Sequence, residues 1–329
     1  MSDSPRTRSV DIVVPVFNEE ACIEELYARL TRTLEPLPYS FRILFVDDGS
    51  RDRSAVLCEG LRARDPRVGL VRFSRNFGHQ AALTAGLDLA DADAVITMDA
   101  DLQHPPELIP KFLEAWEQGA QIVSGVRKRV AASLGKRLSS ALFYRLLNAI
   151  SSFEITPDSP DFRLFDARVV RAIRGLREQS RFLRGIYAWV GFRNVELDYD
   201  EALRVGGESH YGKRDMLLFA LRAVLSFSRL PLRIATWFGL SVSILAFVYG
   251  VYAIAVNVIF HRVIPGWTSL AVLVSFLSGV QLLTLGVVGE YLGQVLEETK
   301  QRPLYVIAEQ GLPPLTARAA GETAQKSSG

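Results

Sequence analysis

Two long stretches in the C-terminal part of the chain contain no charged residue, and they restrict the possible folds more than any other feature. They run from Ile234 to Phe260 and from Val263 to Gly289. Each is longer than the roughly 20 apolar residues that span a bilayer as a helix. Buried core helices are the alternative, but such helices are rarely so long without a charge. We therefore predict two transmembrane helices, at residues 234–260 and 263–289.

The basic residues near these runs predict how the hairpin is oriented. Those that flank its two ends are Lys213, Arg214, Arg222, Arg229, Arg233, Lys300 and Arg302. The segment between the runs contains only His261 and Arg262. Because basic flanks tend to stay in the cytoplasm, both ends of the hairpin are expected there. The first ten residues also lack the apolar core of a signal peptide. We predict a multi-pass protein of the cytoplasmic (inner) membrane, with the N-terminal domain and residues 290–309 on the cytoplasmic side.

Residues 10–212 alternate between strand-like and helix-like segments. The predicted strands are VDIVVPVF, FRILFVD, VGLVRFS, AVITMD and QIVSG. Asn18 is expected to cap the first of the helices between them. The alternation is typical of an α/β fold with a mostly parallel sheet that helices cover on both faces. Ligands bind at the carboxyl ends of the strands in such sheets. The acids that fall at these ends are Asp47, Asp48, Asp99 and Asp101.

Two further segments are expected to form amphipathic helices. Residues 130–150 carry an aliphatic residue at every fourth position, interspersed with basic residues, and residues 213–233 precede the first span. Such helices can lie in the headgroup plane of an anionic membrane, or they can pack on the sheet. Residues 1–9 and 310–329 are predicted to be disordered.

The stretch from Val95 to Glu107, VITMDADLQHPPE, ends an apolar strand with two carboxylates. Asp99 and Asp101 are two positions apart, so on an extended chain they point to the same side. Carboxylate oxygens suit Mg²⁺ or Mn²⁺, which commonly bridge to substrate phosphates. Such an ion would act as a Lewis acid for the departing diphosphate of a nucleotide-sugar. Asp-x-Asp is frequent by chance, and its place after a strand favours this interpretation.

Other residues narrow the class of protein. The chain contains neither Gly-x-Gly-x-x-Gly nor a P-loop, which disfavours a dinucleotide dehydrogenase and a P-loop ATPase.

Cys22 and Cys58 are expected in cytoplasmic helices without a disulfide. His79 and His104 are expected in solvated loops, with no role in a site.

A set of short motifs, taken in order, resembles a known family. They are VVPVFNE, VDDGSRD, RNFGHQAAL, MDADLQHPPE, SGVRKR, DFRLFD, SRFLRGIYAWVGF, GEYLGQ and ETKQRPLY. The set resembles family 2 glycosyltransferases of the polyprenyl-phosphate hexosyltransferase type, which include dolichol-phosphate mannose synthases and GtrB-like undecaprenyl-phosphate glucosyltransferases. The resemblance extends from Val10 to Val306, and the ordered set is specific although no single motif is. It implies a Rossmann-like α/β catalytic domain of the GT-A type, followed by a two-helix transmembrane hairpin.

The resemblance also implies roles for individual residues. Those implied to bind the nucleotide-sugar are Pro15, Phe17, Glu19, Asp48, Asp99, Gln103 and Arg204. Those implied to hold the metal ion, Mg²⁺ or Mn²⁺, are Asp99, Asp101 and Gln103, with Asp101 also catalytic. Arg127 and Arg137 would act in catalysis by binding the lipid phosphate. Asp161 would be a catalytic base, with capping of its segment as an equal alternative.

The implied reaction transfers a hexose from a nucleotide-sugar to polyprenyl phosphate at the bilayer, with inversion of the anomeric carbon. UDP-glucose is the first expected donor and GDP-mannose the second, and undecaprenyl phosphate is the expected acceptor. Two alternatives stay open. One is a processive polysaccharide synthase, although the chain lacks Gln-x-x-Arg-Trp. The other is a non-catalytic membrane scaffold with a nucleotide-binding shell. The resemblance further implies a homo-oligomer, and no nucleic-acid partner is expected.

Overall fold

The computed structural model describes residues 8–127, 160–179, 181–199, 230–260 and 266–313. The chain divides into two compact units, of which one contains residues 1–148, 153–210 and 303–329, and the other residues 149–152 and 211–302. Several predicted features lie outside the described residues: the interface helix at 130–150, most of the helix at 213–233, Arg137 and Arg204.

The first unit is built on one sheet of eight strands. Its strands are β1 (Ser9–Val16), β2 (Ser40–Asp47), β3 (Val68–Phe73), β4 (Ala94–Thr97), β5 (Ile122–Arg127), β6 (Arg163–Asp166), β7 (Asn194–Tyr199) and β8 (Ile307–Gly311). The helices of this unit are α1 (Ile23–Leu34), α2 (Ser54–Arg64), α3 (His79–Leu89), α4 (Ile109–Glu117), α5 (Ala167–Gly175) and α6 (Leu183–Trp189). A short 3₁₀ turn, Pro106–Leu108, leads into α4.

The sheet is mixed, with four parallel and three antiparallel strand pairs. Its strand order is β7-β5-β6-β4-β1-β2-β3-β8. The centre, β4-β1-β2-β3, is parallel as predicted, and β5 is parallel to β7. β6 runs antiparallel between β4 and β5, and β8 pairs antiparallel with β3. β6, β7 and β8 are not among the predicted strands. The four residues of β6 and the five of β8 leave too short a pattern to recognise.

Helices cover both faces of the sheet, and the residue spacing explains how. Leu26, Leu30 and Leu34 of α1 recur at helical intervals and are buried in one core layer with α2 and α4. The other layer contains α3, α5 and α6. Alternate residues of β1 face opposite layers, so that Ile12 and Val13 belong to different layers. A strand that is buried on both faces has to be apolar throughout, as β1 nearly is.

Asn18 does not cap α1, and that prediction is wrong. The helix begins at Ile23, and Asn18 lies in the preceding turn with a left-handed φ of 56°. Its backbone N–H donates to Ser50 Oγ at 3.0 Å, and its side-chain Oδ1 accepts from the backbone N–H of Arg51 at 2.9 Å. The residue therefore connects the loops that follow β1 and β2, which a reading of local helix signals does not anticipate.

The predicted disordered tail starts too early. Residues 310 and 311 belong to β8, and the carbonyl oxygen of Pro313 accepts a hydrogen bond from Arg42 Nη1 at 2.8 Å. Arg42 is itself held by a bidentate interaction with the buried Asp11, at 2.8 and 2.6 Å. The α/β domain predicted at 10–212 thus also includes a strand from beyond the second long helix. Residues 314–329 lie outside the described residues.

The second unit contains two long helices, α7 (Leu230–Phe260) and α8 (Trp267–Thr299). Each contains a stretch long and apolar enough to cross a membrane, Ala235–Tyr252 and Phe276–Thr299, and neither stretch is buried. Large apolar side chains such as Phe247 and Leu282 are about 70% exposed. α8 continues ten residues past Gly289, so part of the predicted 290–309 segment is helical.

The packing of α3 on β1 gives a test of the fold. A Cβ atom added at Gly86 of α3 would overlap Val13 Cγ1, whereas nothing lies within 4 Å of a Cβ added at Gly60 of α2. We expect Gly86→Ala to lower the free energy of unfolding by about 1–3 kcal/mol through overpacking. Gly60→Ala, the matched control, should raise it by roughly 0.5–1 kcal/mol. Thermal unfolding of both variants in detergent checks this, and equal melting temperatures would contradict the packing described.

Candidate active site

The acid pair lies where β4 ends at the carboxyl edge of the parallel strands. The strand stops at Thr97, and Asp99 and Asp101 follow in the turn before the 3₁₀ segment. Leu102, with a φ of 63°, reverses the chain there. The backbone N–H of Gln103 donates to Asp101 Oδ1 at 3.1 Å. The turn is thus compact, and Pro106 at the start of the next helical segment limits how far it can extend.

His104 is buried and supports the acid pair, contrary to the expectation of a solvated loop residue. Its side chain is 0% exposed, stacks on Phe162 with ring centroids 5.1 Å apart, and its Nδ1 accepts from the backbone N–H of Asp99 at 3.0 Å. Burial lowers the pKa of His104, against the opposing charges of Asp99 and Asp101. A neutral imidazole that accepts at Nδ1 carries its proton on Nε2, and Nε2 lies 3.6 Å from Asp99 Oδ2. His104 therefore fixes the position of Asp99.

Asp48 organises the loop that precedes α3. Its two carboxylate oxygens accept from the backbone N–H groups of Phe77, at 2.6 Å, and Gly78, at 2.9 Å. Gly78 has a φ of 101°, a conformation that favours glycine. Burial raises the pKa of Asp48, and these two N–H groups oppose that shift. Because His79 follows directly, Asp48 also determines where that imidazole lies.

His79 lies between the acid pair and Asp161. Its side chain is 45% exposed, as expected, but it is the first residue of α3 and not a loop residue. His79 Nε2 lies 3.4 Å from Asp99 Oδ1 and 3.6 Å from Asp161 Oδ2. Desolvation lowers the pKa of His79, but the carboxylates of Asp161 and Asp99 outweigh it and the pKa is raised overall. The cluster could be found only after folding, because its members come from α3, the β4 turn and the segment before β6.

Asp161 is a buried carboxylate held by positive charge. It is 3% exposed, its backbone oxygen accepts from Thr97 Oγ1 at 2.6 Å, and its Oδ2 lies 3.3 Å from Arg184 Nη2. Burial alone would raise the pKa of Asp161, but His79 and Arg184 hold that pKa well below the usual carboxyl range. The group is therefore ionised and paired at neutral pH, which makes it a weak proton acceptor.

A cleft of about 400 Å³ opens at the same edge, beyond the ends of β1, β2 and β3. We call it the edge cleft, and the side chains that line it include Phe17, Arg51, Arg72, Arg75 and Glu309. Phe17 is 42% exposed, so its ring is available for stacking. Pro15 is buried within β1, and neither it nor Glu19 is among the described residues that line the cleft.

Comparison with known proteins identifies the family. Residues 11–174 match the model of glycosyl transferase family 2, and residues 230–295 match the GtrB C-terminal hairpin. The chain is 41% identical to the uncharacterized glycosyltransferase YkcC of Bacillus subtilis (strain 168), over 90% of this chain and 92% of that one. The chain belongs to glycosyl transferase family 2.

Further relatives carry more specific names. The bactoprenol glucosyl transferase of Shigella phage SfV is 41% identical over 91% of this chain and 97% of its own length. A solved structure of S. aureus TarS 1-349 with UDP-GlcNAc superimposes on 67% of this chain and 66% of its own, with a TM-score of 0.46 and 19% identity. Family membership and the mixed sheet together confirm the predicted GT-A-like α/β fold, followed by the two helices of the GtrB hairpin.

The acid pair of this glycosyltransferase has the donor atoms that a divalent cation needs. Asp99 Oδ1 is buried and has no hydrogen-bond partner among the described residues. No group of three or more His, Cys, Asp or Glu in that part of the chain converges as a complete metal site. Mg²⁺ in phosphate-handling enzymes is commonly bound by one or two carboxylates, with phosphate oxygens and water completing the coordination. The residues therefore fit an ion that arrives with a diphosphate.

Arg127 ends β5, next to Tyr199 of β7 in register. Burial lowers the pKa of the His104 imidazole, and the positive charge of Arg127 adds to that shift. Of the residues implied by the resemblance, Asp99 and Asp161 meet at His79, Asp101 lies in the same turn as Asp99, and Arg127 ends β5.

Proposed function

We propose that this glycosyltransferase moves glucose from UDP-glucose to polyprenyl phosphate, with inversion at the anomeric carbon. The single observation that carries the proposal is the buried Asp99 Oδ1 beside Asp101, which accepts no hydrogen bond from the described residues and lies at the same sheet edge as the edge cleft. His79 Nε2, 3.4 Å away, is its one charged neighbour among those residues. The name of the Shigella phage relative, which this chain matches over 97% of its length, supports glucose and a bactoprenol acceptor. Undecaprenyl phosphate is the acceptor we propose to test first.

In this proposal Asp99, Asp101 and Gln103 hold Mg²⁺ or Mn²⁺ together with the donor diphosphate. When bound, the ion stabilises the negative charge that develops on the leaving diphosphate. Phe17 stacks on the base from the wall of the edge cleft, and the arginines around that cleft attract the anionic nucleotide. His104 keeps Asp99 in place by accepting its backbone N–H.

The acceptor provides its own nucleophile. A phosphate monoester has a second pKa near 6, so at neutral pH the lipid phosphate is largely a dianion. Arg127 and the predicted Arg137 would bind it close to the sugar, where positioning and charge neutralisation lower the barrier. Arg204 is also proposed to bind the donor diphosphate. Direct attack by the lipid oxygen on C1 breaks the bond to the diphosphate and inverts the anomeric centre.

We further propose that α7 and α8 span the cytoplasmic membrane, with the catalytic unit on the cytoplasmic side. The exposed apolar side chains of these helices and the match to the GtrB hairpin support this placement. The headgroup region of a bilayer is where the phosphate of a polyprenyl lipid lies. We propose that the enzyme takes its acceptor at that level.

A donor panel tests the function. Full-length protein in detergent is given undecaprenyl phosphate, Mg²⁺ or Mn²⁺ and one labelled nucleotide-sugar per reaction, with UDP-glucose, UDP-N-acetylglucosamine and GDP-mannose among them. We expect label to move to the organic phase from UDP-glucose. Transfer should be lost with EDTA, which removes the metal ion, and in Asp101→Ala, which removes one of its proposed ligands. Glu59→Ala, which removes an exposed carboxylate from α2, is the control and should retain wild-type activity.

The other outcomes of the panel separate the alternatives. Transfer from GDP-mannose instead would replace the donor but retain the reaction class. Nucleotide binding without transfer from any donor would contradict the enzyme assignment and favour a scaffold. Transfer that persists in EDTA would rule out the metal-dependent step.

Asp161→Asn tests whether the buried carboxylate is a catalytic base. Because Asp161 is ion-paired and the lipid phosphate is already ionised, we expect kcat to fall less than about tenfold, whereas loss of a general base costs roughly 10²–10⁴-fold. The dissociation constant for UDP and the melting temperature serve as controls for the integrity of the site. A collapse of kcat with unchanged UDP binding would contradict this role and restore Asp161 as the base.

A further inference from the structure

Three charged residues form a row across three neighbouring strands at the carboxyl edge. Asp47 of β2 is in register with Arg72 of β3, and Arg72 is in register with Glu309 of β8. Paired residues on adjacent strands point to the same face of a sheet. Arg72 Nε lies 3.4 Å from Asp47 Oδ2, and Arg72 Nη1 lies 3.9 Å from Glu309 Oε1. The Arg72 guanidinium is thus placed between a buried and an exposed carboxylate.

The strand that supplies Glu309 is fastened to the sheet on both sides of the row. Before it, Tyr305 stacks on Phe73 with ring centroids 5.2 Å apart, and its hydroxyl donates to Asp88 Oδ2 at 2.9 Å. The backbone N–H of Ser74 donates to the Val306 oxygen at 3.0 Å. After it, Pro313 accepts from Arg42. These contacts give β8 a fixed position although the chain reaches it only after the second long helix.

This strand is also a wall of the edge cleft. Ala308 and Glu309 line it, opposite Phe17 and the loop after β2. The register of β3 and β8 shifts between Arg72 and Phe73, where Ala308 is the extra residue. A bulge of this kind turns a side chain away from regular alternation. Gln310 follows Glu309 and pairs with Val71. Its side chain points to the opposite face of the sheet from that of Glu309.

We propose that β8, the strand after the hairpin, completes the nucleoside subsite of the donor, with Ala308 as its wall and Glu309 as a positioning residue for Arg72. The proposal rests on the proposed function, because it assumes that the edge cleft takes the nucleoside of a nucleotide-sugar. The Arg72 guanidinium carries only hydrogen-bond donors. Held between Asp47 and Glu309, it would present N–H groups to the acceptor atoms of a pyrimidine nucleoside. The segment that leaves the membrane helices would thereby help to select the donor.

The direct test fills the cleft from β8 and measures UDP binding by calorimetry on full-length protein in detergent. Ala308→Trp places a large side chain in the subsite, and we expect the Kd for UDP to rise at least about tenfold. Gln310→Trp, the matched control on the other face of the same strand, should change that Kd less than about twofold. Each variant's melting temperature establishes that it is folded.

A second pair of variants tests the charge row. In Glu309→Gln the carboxylate is lost but the shape is retained, and we expect the Kd for UDP and the KM for the nucleotide-sugar to rise together about two- to fivefold. The kcat and the KM for the lipid phosphate should stay within about twofold, because Glu309 lies at the edge cleft and is proposed to affect only donor binding. Arg72→Lys retains the positive charge but loses the planar guanidinium with its paired N–H donors. We expect it to raise the Kd for UDP as much as Glu309→Gln does, or more.

The failure of this inference differs from the failure of the proposed function. If wild-type protein binds UDP and folded Ala308→Trp binds it equally well, β8 is not part of the subsite and the inference is wrong. The same holds if Gln310→Trp weakens UDP binding as much as Ala308→Trp. If wild-type protein transfers glucose while these variants bind UDP normally, only the inference fails. If wild-type protein binds no UDP, the proposed function fails and this inference fails with it.

Discussion

The parallel pairing of β1 with β2 and with β4 is the constraint on which the site depends. Parallel neighbours end at the same edge of a sheet, so Phe17, Asp48 and Asp99 are brought together although they are far apart in sequence. Each strand end then serves a separate purpose. The β1 end presents an aromatic ring, the β2 end holds the loop before α3, and the β4 end carries the acid pair.

Charge around that edge is balanced by buried residues outside the acid pair. Asp161 is stabilised by His79 and Arg184, and His104 remains neutral because burial opposes its protonation. Breaking one partner of a buried pair leaves an uncompensated charge, which is costly. Asp161 is held by both His79 and Arg184, whereas Asp99 shares only the His79 contact. Asp99 and Asp101 are therefore the acids that we propose to bind a cation. The burial of Asp161 and its distances to His79 and Arg184 distinguish it from the acid pair, and residue type alone does not give that distinction.

The sequence predicts the central strands, the two apolar helices and the acid pair, because each has a strong local signal. The helix over residues 54–64 and the strand over 68–73 match the structure closely, since apolar periodicity and turn residues mark both. The missed features share a different cause. His79 and His104 acquire their positions through contacts with Asp161 and Phe162, which no local pattern encodes. The strand Ile307–Gly311 lies beyond the second long helix and pairs with β3, more than 200 residues earlier. Composition does not predict that the chain pairs again with the sheet after the second long helix.

The most direct test of the central claim, that the acid pair at the β4 end binds the donor diphosphate through a metal ion, is anomalous scattering from Mn²⁺ in crystals of the full-length protein grown with UDP. The account predicts one Mn²⁺ peak in contact with a carboxylate oxygen of Asp99 or Asp101 and with the diphosphate, and a uracil ring against Phe17. A Mn²⁺ peak away from the acid pair, or a diphosphate bound without contact to this edge of the sheet, would contradict it.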